Sequence, residues 1–283
     1  MNCRRVRRKF VNALVLFLSG VAALVGLAML AWILTDTAFK GISAINWDFF
    51  TKLPAPPGEE HGGLANAIVG TLILTATATV MSVPFGILAG IYLAEFGRGG
   101  KLAAAVRLVA DVLTSAPSIV VGVFVYLALV RPLGHFSGWA GAAALAILML
   151  PVVTRTTEEM LNLVPDAMRE AALALGAPYW RMMFQVALRA AMSGMLTGIL
   201  LSVSRVAGET APLLFTSLNS PYWAVNLNQP MPSLTVTLFN YAMSPYEEWH
   251  SLAWGAAFLI TMSVLAFTIL SRLWLRGVNR ERS

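Results

Sequence analysis

Six long apolar segments constrain the fold of this 283-residue chain more than any other feature of the sequence. They lie at residues 12–34, 64–94, 107–130, 139–156, 186–215 and 251–275. A helix needs about 20 mostly apolar residues to cross the hydrocarbon core of a bilayer, and each segment is close to that length or longer. The sequence therefore predicts an all-α polytopic membrane protein with six transmembrane helices.

The composition agrees with a membrane protein rather than a soluble domain. Hydrophobic residues make up 58% of the chain and charged residues 12%, whereas a soluble domain carries about 25% charge. The net charge of +6 could indicate nucleic-acid binding, but the basic residues cluster in alternate loops, as bilayer topology predicts. Cys3 is the single cysteine, which excludes an intrachain disulfide. Since the three histidines lie in separate loops, we predict no metal site.

The distribution of lysine and arginine predicts the orientation in the membrane. Sixteen basic residues fall before residue 12, in the 95–107 loop, in the 155–189 region or at the C-terminus, and three fall in the opposite loops. This asymmetry places both termini in the cytoplasm. The basic N-terminus resembles that of a signal peptide, but the apolar run through Leu34 is too long for a cleaved one. We therefore expect a retained anchor.

These segments and loops divide the chain into five parts. The expected order is a cytoplasmic basic tail at 1–11, a first transmembrane helix at 12–34, an external loop at 35–63, a five-helix core at 64–275 and a cytoplasmic tail at 276–283. Within the core, residues 157–185 form a long cytoplasmic loop. Pro84, Pro117 and Pro151 lie inside the second, third and fourth segments, where proline removes a helical hydrogen bond and favours a bend.

A pair of charged residues stands at the end of the fifth apolar segment, in the sequence SRVAGETAPLLF at 204–215. Arg205 and Glu209 are four residues apart, so on a helix they share one face and can pair. Charges inside a bilayer are costly and usually face a partner or a wet pathway. Two interpretations remain open: a structural ion pair that ties helices together, or a charged constriction that a small anion passes.

The cytoplasmic loop contains the sequence Glu170-Ala171-Ala172, followed after three residues by Gly176. A short helix is expected from about Asp166 to Leu175, ended by Gly176. This spacing resembles the signature of the membrane permeases of binding-protein-dependent ABC importers. At the position where that signature ends in Ile-x-Leu-Pro, this chain has VALR at 186–189, so the final proline is replaced by arginine.

The resemblance implies a type I, MetI-like permease core whose loop carries a coupling helix that docks on an ATPase subunit. Glu170, Ala171, Ala172 and Gly176 would make that contact. The sequence contains no G-x-x-x-x-G-K-[ST] motif, so we expect no enzymatic activity and no cofactor in this chain. ATP and Mg would be bound by the separate ATPase.

Three stretches resemble the phosphate-importing branch of this family: residues 117–126, 170–176 and 207–215. The implied assembly contains a partner permease, PstC, a dimer of the ATPase PstB and the external phosphate-binding protein PstS. It would import inorganic phosphate by alternating access across a bacterial inner membrane. The alternatives are a permease for another oxyanion such as sulfate or molybdate, or a self-sufficient secondary transporter.

The chemistry of the charged pair is compatible with phosphate. The planar guanidinium of Arg205 suits a pair of phosphate oxygens. Glu209 could accept a hydrogen bond from protonated phosphate, which sulfate cannot donate, or the pair could only gate while PstS sets all selectivity. Thr210 could offer its hydroxyl to the solute or cap the turn before Pro212.

Overall fold

The described residues of the computed structural model are 2–59, 62–97 and 99–280, and within these ranges the chain is helical without strands. The helices are α1 (Asn2–Ala44), α2 (Trp47–Thr51), α3 (Ala65–Phe96), α4 (Lys101–Ser115), α5 (Ser118–Leu133), α6 (Gly138–Asn162), α7 (Asp166–Ala174), α8 (Tyr179–Ala207), α9 (Ala211–Thr216), α10 (Leu234–Ala242) and α11 (Glu247–Arg280). Helices α3, α5 and α8 each contain a π-helical turn.

Five of these helices are long and apolar enough to cross a membrane, namely α1, α3, α6, α8 and α11. Helices α4 and α5 pass the same test together but are bent by 107° at the break between them. The chain thus has six apolar spans when that bent pair is taken as one. This confirms the predicted all-α, multi-pass architecture.

The third apolar segment, 107–130, is interrupted at Pro117, one of the three prolines at which the sequence predicts a bend. Ala116 and Pro117 adopt extended backbone angles, with ψ of 136° and 133°, and separate α4 from α5. The ring of a proline disfavours the helical conformation of the preceding residue, which accounts for the break. By contrast, α3 continues through Pro84 and α6 through Pro151. A proline inside an apolar segment therefore did not identify by itself where the chain turns.

Other helix ends also differ from the apolar segments. The fifth segment is not one helix over 186–215, because α8 begins at Tyr179 and ends at Ala207, and α9 is separate. Helix α1 continues ten residues beyond Leu34 to Ala44. Lys40 pairs with Asp36 at 3.0 Å one turn earlier and lies over the Trp254 ring of α11. The extension therefore follows from local pairing and from packing on α11, which hydropathy does not detect.

Helices α3 and α6 form the centre of the molecule. Glycines of α3 lie against α6, and a Cβ added at Gly86 would meet Val153 at 2.8 Å. Small residues allow membrane helices to approach closely. In lipid the hydrophobic effect does not drive helices together, so this close van der Waals packing stabilises the pair instead. A buried apolar cluster fills the space around this contact and includes Leu74, Leu145 and Met149.

Helix α4 is attached to α6 by charged groups rather than by apolar packing alone. Arg107 Nε donates to Glu158 Oε1 at 2.7 Å, and its Nη2 donates to the Leu93 carbonyl of α3 at 3.0 Å. One turn away, Arg155 of α6 pairs with Asp111 of α4. The broken third span is thereby held against the α3–α6 pair.

Candidate functional site

The candidate substrate site is built where α8 ends. The amide of Gly208 donates to the Arg205 carbonyl at 3.1 Å, and the amide of Glu209 donates to the Val206 carbonyl at 3.1 Å. These short-range bonds tighten the last turn, after which Gly208, at φ −96° and ψ 0°, leaves helical geometry. Thr210 then leads into α9. The charged residues thus stand on either side of a helix break.

Arg205 and Glu209 are close but loosely paired. Arg205 Nε lies 3.9 Å from Glu209 Oε1, and the two side chains are 59% and 18% exposed. An ion pair of this length with an exposed guanidinium contributes little to stability. The structure brings the two predicted residues together, and the donor fork of Arg205 remains accessible to a solute or to another subunit.

Helices α5 and α10 fix the backbone that follows the break. The Thr235 hydroxyl of α10 donates to the Glu209 carbonyl at 2.8 Å. Pro212 is buried beside Gly122 of α5, where an added Cβ would lie 2.6 Å from the Pro212 Cα. The structure therefore brings together two of the stretches that the sequence singled out, 117–126 and 207–215.

Thr210 is half-buried at the start of α9. Its carbonyl accepts hydrogen bonds from the amides of Leu213 and Leu214 at 3.1 and 3.2 Å. Its side chain makes no capping hydrogen bond to α9, so the capping role considered for its hydroxyl is not the one seen. The backbone of Thr210 nonetheless shapes the turn that carries Glu209.

A cavity of about 360 Å³ lies on the side of the break that faces α3 and α11. Ser204 and Ala207 of α8 line it, together with Thr71 and Thr75 of α3 and apolar side chains of α10 and α11. The Thr71 hydroxyl donates to the Ala67 carbonyl and accepts from the Leu234 amide, both at 2.8 Å. Since the remaining lining is largely apolar, this cavity is unsuited to an anion.

The second candidate site is α7, the predicted coupling helix. Glu170 and Ala171 are exposed on it, whereas Ala172 is half-buried against an apolar cluster at the ends of α3, α6 and α8. Gly176 has a φ of +81°, a conformation that glycine adopts without a steric penalty. Leu175 beside it is 89% exposed. The four predicted residues thus border a surface that combines one carboxylate with exposed apolar area.

Sequence reasoning missed a pair of charged residues at the contact between α7 and the membrane helices. Arg169 points inward from α7 and pairs with Glu95 at the end of α3, with Arg169 Nη1 2.9 Å from Glu95 Oε1. Their side chains are 8% and 3% exposed. Glu95 is an isolated acid at the end of an apolar segment, and this was the available signal. Its partner lies far along the chain, so local spacing could not identify it.

A single long helix connects the two candidate sites. Helix α8 starts at Tyr179, shortly after α7 ends at Ala174 and within the predicted 157–185 loop, and its last turn carries Arg205. At about 1.5 Å per residue, the axial distance from Tyr179 to Arg205 is about 39 Å. Helix α8 is thus one continuous element between the two candidate sites.

Comparisons with known proteins identify relatives over nearly the whole chain. Residues 82–283 match the family model described as binding-protein-dependent transport system inner membrane component. The phosphate transport system permease protein PstA of Yersinia pestis is 53% identical over 266 residues, which cover 94% of this chain and 90% of that protein. The Haemophilus influenzae protein of the same name is 48% identical over 274 residues, covering 96% of both chains. PstA 1 of Mycobacterium tuberculosis is 36% identical over 287 residues, covering 98% of this chain and 92% of its own.

Solved structures with little sequence identity share the fold. A chain of the MetNI methionine ABC transporter, in an inward-facing conformation, superposes with a TM-score of 0.64 at 19% identity and covers 76% of this chain and 95% of its own. A chain of an amino acid ABC transporter gives a TM-score of 0.57 at 19% identity, covering 75% and 92%. These likenesses confirm the predicted MetI-like core.

Proposed function

The chain belongs to the family of binding-protein-dependent transport system inner membrane components, and from that premise we propose that it is the membrane permease subunit of an ATP-driven importer of inorganic phosphate. The observation that carries the substrate assignment is the identity to phosphate permeases over nearly the whole chain. As a permease it performs no covalent chemistry. It forms one half of a pathway that opens alternately to the two sides of the membrane.

Arg205 is the residue that we assign to the anion. Arg189, near the cytoplasmic start of the fifth apolar segment, precedes it on α8 by about 24 Å of helix at about 1.5 Å per residue. The hydrocarbon core is about 30 Å thick, which supports a position for Arg205 within the membrane. An exposed arginine and a non-helical backbone are tolerated at that depth where they face protein or a wet cavity.

Glu209 and Thr210 complete the proposed substrate site. The Glu209 carboxylate moderates the charge of Arg205 and accepts a hydrogen bond from protonated phosphate, whereas sulfate leaves that acceptor unpaired. The 3.9 Å contact with Arg205 leaves both groups capable of binding a solute. In the competing proposal the binding protein sets all selectivity and the pair only gates. Thr210 would contribute through its position in the turn.

Helix α7 is the proposed contact with the ATPase. Ala171 allows a second surface to approach closely, Glu170 offers a charge to a basic partner group, Ala172 fixes the helix on its own subunit, and Gly176 permits the turn that follows. Because the sequence lacks a P-loop, ATP and Mg would be bound by that separate subunit, PstB. The further partners would be the permease PstC and the phosphate-binding protein PstS. Both termini and α7 would face the cytoplasm.

The test is uptake of radiolabelled phosphate at micromolar concentration by cells that lack their own high-affinity system. The chain is expressed with its three partners as wild type, as Arg205→Ala and as Arg189→Ala, an exposed arginine on the same helix. We expect uptake by the wild type and by Arg189→Ala, and its loss in Arg205→Ala with the complex assembled. Full uptake by Arg205→Ala would reduce the pair to a structural element. Uptake of sulfate or molybdate in place of phosphate would overturn the substrate assignment.

A further inference from the structure

A buried ion pair lies at the junction of the coupling helix with the membrane helices. Arg169 of α7 and Glu95 of α3 have side chains 8% and 3% exposed, with 2.9 Å between Nη1 and Oε1. Arg169 Nη2 donates to the Leu161 carbonyl near the end of α6 at 2.7 Å. The hydroxyl of Tyr179, the first residue of α8, donates to Glu95 Oε2 at 2.7 Å. Four helices therefore meet at these two charges.

The geometry of this junction requires an arginine. Its planar fork reaches two acceptors in different directions, the carboxylate of α3 and a carbonyl of α6. A lysine ammonium is a point charge on a flexible stem and does not fix both directions at once. The Tyr179 hydroxyl approaches the same carboxylate from a third direction. The Tyr179 ring lies edge-on to Phe96, with 5.7 Å between the ring centroids. The arrangement fixes orientation as well as distance.

Stability alone does not account for the pair. Removing two charges from water is costly, and apolar residues often stabilise such a position equally well. The pair is also incompletely satisfied by the described residues: Arg169 Nε lacks a hydrogen-bond partner, and the 2.9 Å contact at Glu95 Oε1 is an ion pair without hydrogen-bond geometry. If α7 moves relative to the membrane helices, contacts with fixed directions would transmit that movement. This gives a reason to retain a buried ion pair that stability alone does not require.

The surroundings make the pair an effective connection. An apolar cluster from α3, α6 and α8 packs around the inner face of α7 and includes Ile91, Leu161 and Met183. Low polarity there leaves the attraction between the charges weakly screened. The adjoining methionines adapt to small changes of shape, so the cluster can stay packed when α7 is displaced.

We propose that Glu95, Arg169 and Tyr179 form the joint through which displacement of the coupling helix moves α3 and α8, and hence the break at Arg205. The three are positioning residues: they contact neither the transported anion nor ATP. The proposal deepens the proposed function and rests on it. Without the joint, α7 would follow the ATPase while the membrane helices lag, so ATP would be hydrolysed with little transport.

The test uses the complete four-component complex in liposomes and measures phosphate moved per ATP hydrolysed. The variants are Arg169→Gln, Arg169→Lys, Glu95→Gln and Tyr179→Phe, and Arg189→Gln serves as an exposed control. For Arg169→Gln and Glu95→Gln we expect a ratio at least about tenfold below that of the wild type, with hydrolysis within about twofold, since coupling between sites is typically 5- to 150-fold. Arg169→Lys retains the charge and should restore part of the ratio.

Two outcomes would overturn the joint. One is an unchanged ratio in all variants; the other is a parallel loss of hydrolysis and transport, which indicates impaired docking only. If the Arg169 and Glu95 variants fail to assemble, Tyr179→Phe decides, because it removes one hydroxyl: a wild-type ratio contradicts the proposal and a reduced ratio supports it. The wild-type arm tests the proposed function separately, and if it transports another oxyanion, the ratios are measured with that anion.

Discussion

Arg205 and Glu209 stand on two sides of a helix end, and in the proposed substrate site this arrangement suggests a division of roles between them. The Arg205 side chain is 59% exposed and would attract any oxyanion, whereas the Glu209 side chain is 18% exposed and would be the more demanding partner. A partly buried acceptor penalises a solute that cannot donate to it. Discrimination between phosphate and sulfate is therefore expected to depend on Glu209 rather than on Arg205.

The variant Glu209→Gln tests this division. The amide can donate to sulfate, so we expect the preference for phosphate over sulfate to fall by about 10-fold or more, since an unpaired buried acceptor costs about 1–3 kcal/mol. Competition of unlabelled sulfate against labelled phosphate uptake measures the preference. Glu248→Gln, which changes an exposed carboxylate at the start of α11, is the matched control for charge. Unchanged selectivity in Glu209→Gln would assign selection to the binding protein.

Gly122 is the second residue on which the site depends. A methyl group there would meet the Pro212 backbone at 2.6 Å, forcing α5 and α9 apart. We expect Gly122→Ala to destabilise the protein by about 1–3 kcal/mol, as overpacking does, and to reduce uptake. Thermal unfolding of the purified complex measures the first effect. Gly26→Ala, on α1 with nothing within 4 Å, is the control and should leave both properties unchanged.

The charged residues differ in how far the sequence could reveal them. Arg205 and Glu209 interrupt an apolar segment and lie one helical turn apart, so local spacing was sufficient to pair them. Arg169 and Glu95 are paired only by the fold, because the ends of α3 and α7 meet there. The exposure of Glu170 beside the burial of Arg169 likewise depends on which face of α7 packs inward.

At the scale of elements, hydropathy predicted the number of spans but not where they break. Helices break at Pro117 and at Gly208, while α3 and α6 continue through their own prolines. The break at Pro117 has a local cause, because proline disfavours the helical conformation of the preceding residue. Pro84 and Pro151 nevertheless lie inside continuous helices, so the residue type alone does not predict a break. Hydropathy reports composition and therefore does not distinguish these cases.

The turn after α7 permits a prediction for the coupling helix. Gly176 has a φ of +81° with open space around its Cα, so alanine there introduces backbone strain without a clash. Such strain costs about 1–2 kcal/mol for an L-residue. We expect Gly176→Ala to weaken ATPase binding to the permease, measured as retention of the ATPase on the purified permease pair.

Gly134 offers a matched control for that measurement. It has a φ of +76°, equally open surroundings and a place at the end of α5, remote from α7. Gly134→Ala should therefore lower thermal stability by a similar amount while the ATPase stays bound. Equal ATPase loss in both variants would show that strain, and not the geometry of the coupling helix, is responsible.

At the scale of the whole molecule, α1 stands apart from the rest. The most apolar part of this helix is unburied within the chain, and its contacts are made by the portion near Lys40 and Gly41 against α11. Exposed side chains such as Leu24 and Trp32 suit lipid or another subunit. The core α3–α11 thus carries the two candidate sites, and α1 remains the expected anchor, whose orientation we predict from its basic N-terminus.

The single cysteine makes that orientation measurable. We expect a membrane-impermeant maleimide to label Cys3 in inside-out vesicles and not in intact spheroplasts, since a cytoplasmic N-terminus follows from the distribution of basic residues. In a Cys3→Ser background, Asn228→Cys in the exposed segment before α10 should show the opposite pattern. Labelling of both sites from one side would contradict an odd number of spans between them and hence the pairing of α4 with α5 as one span. Helix α7 precedes the start of α8 and Arg205 lies in the last turn of α8, so the two are on opposite sides of that span. The labelling result would therefore also decide whether the surface of α7 faces the compartment that contains ATP.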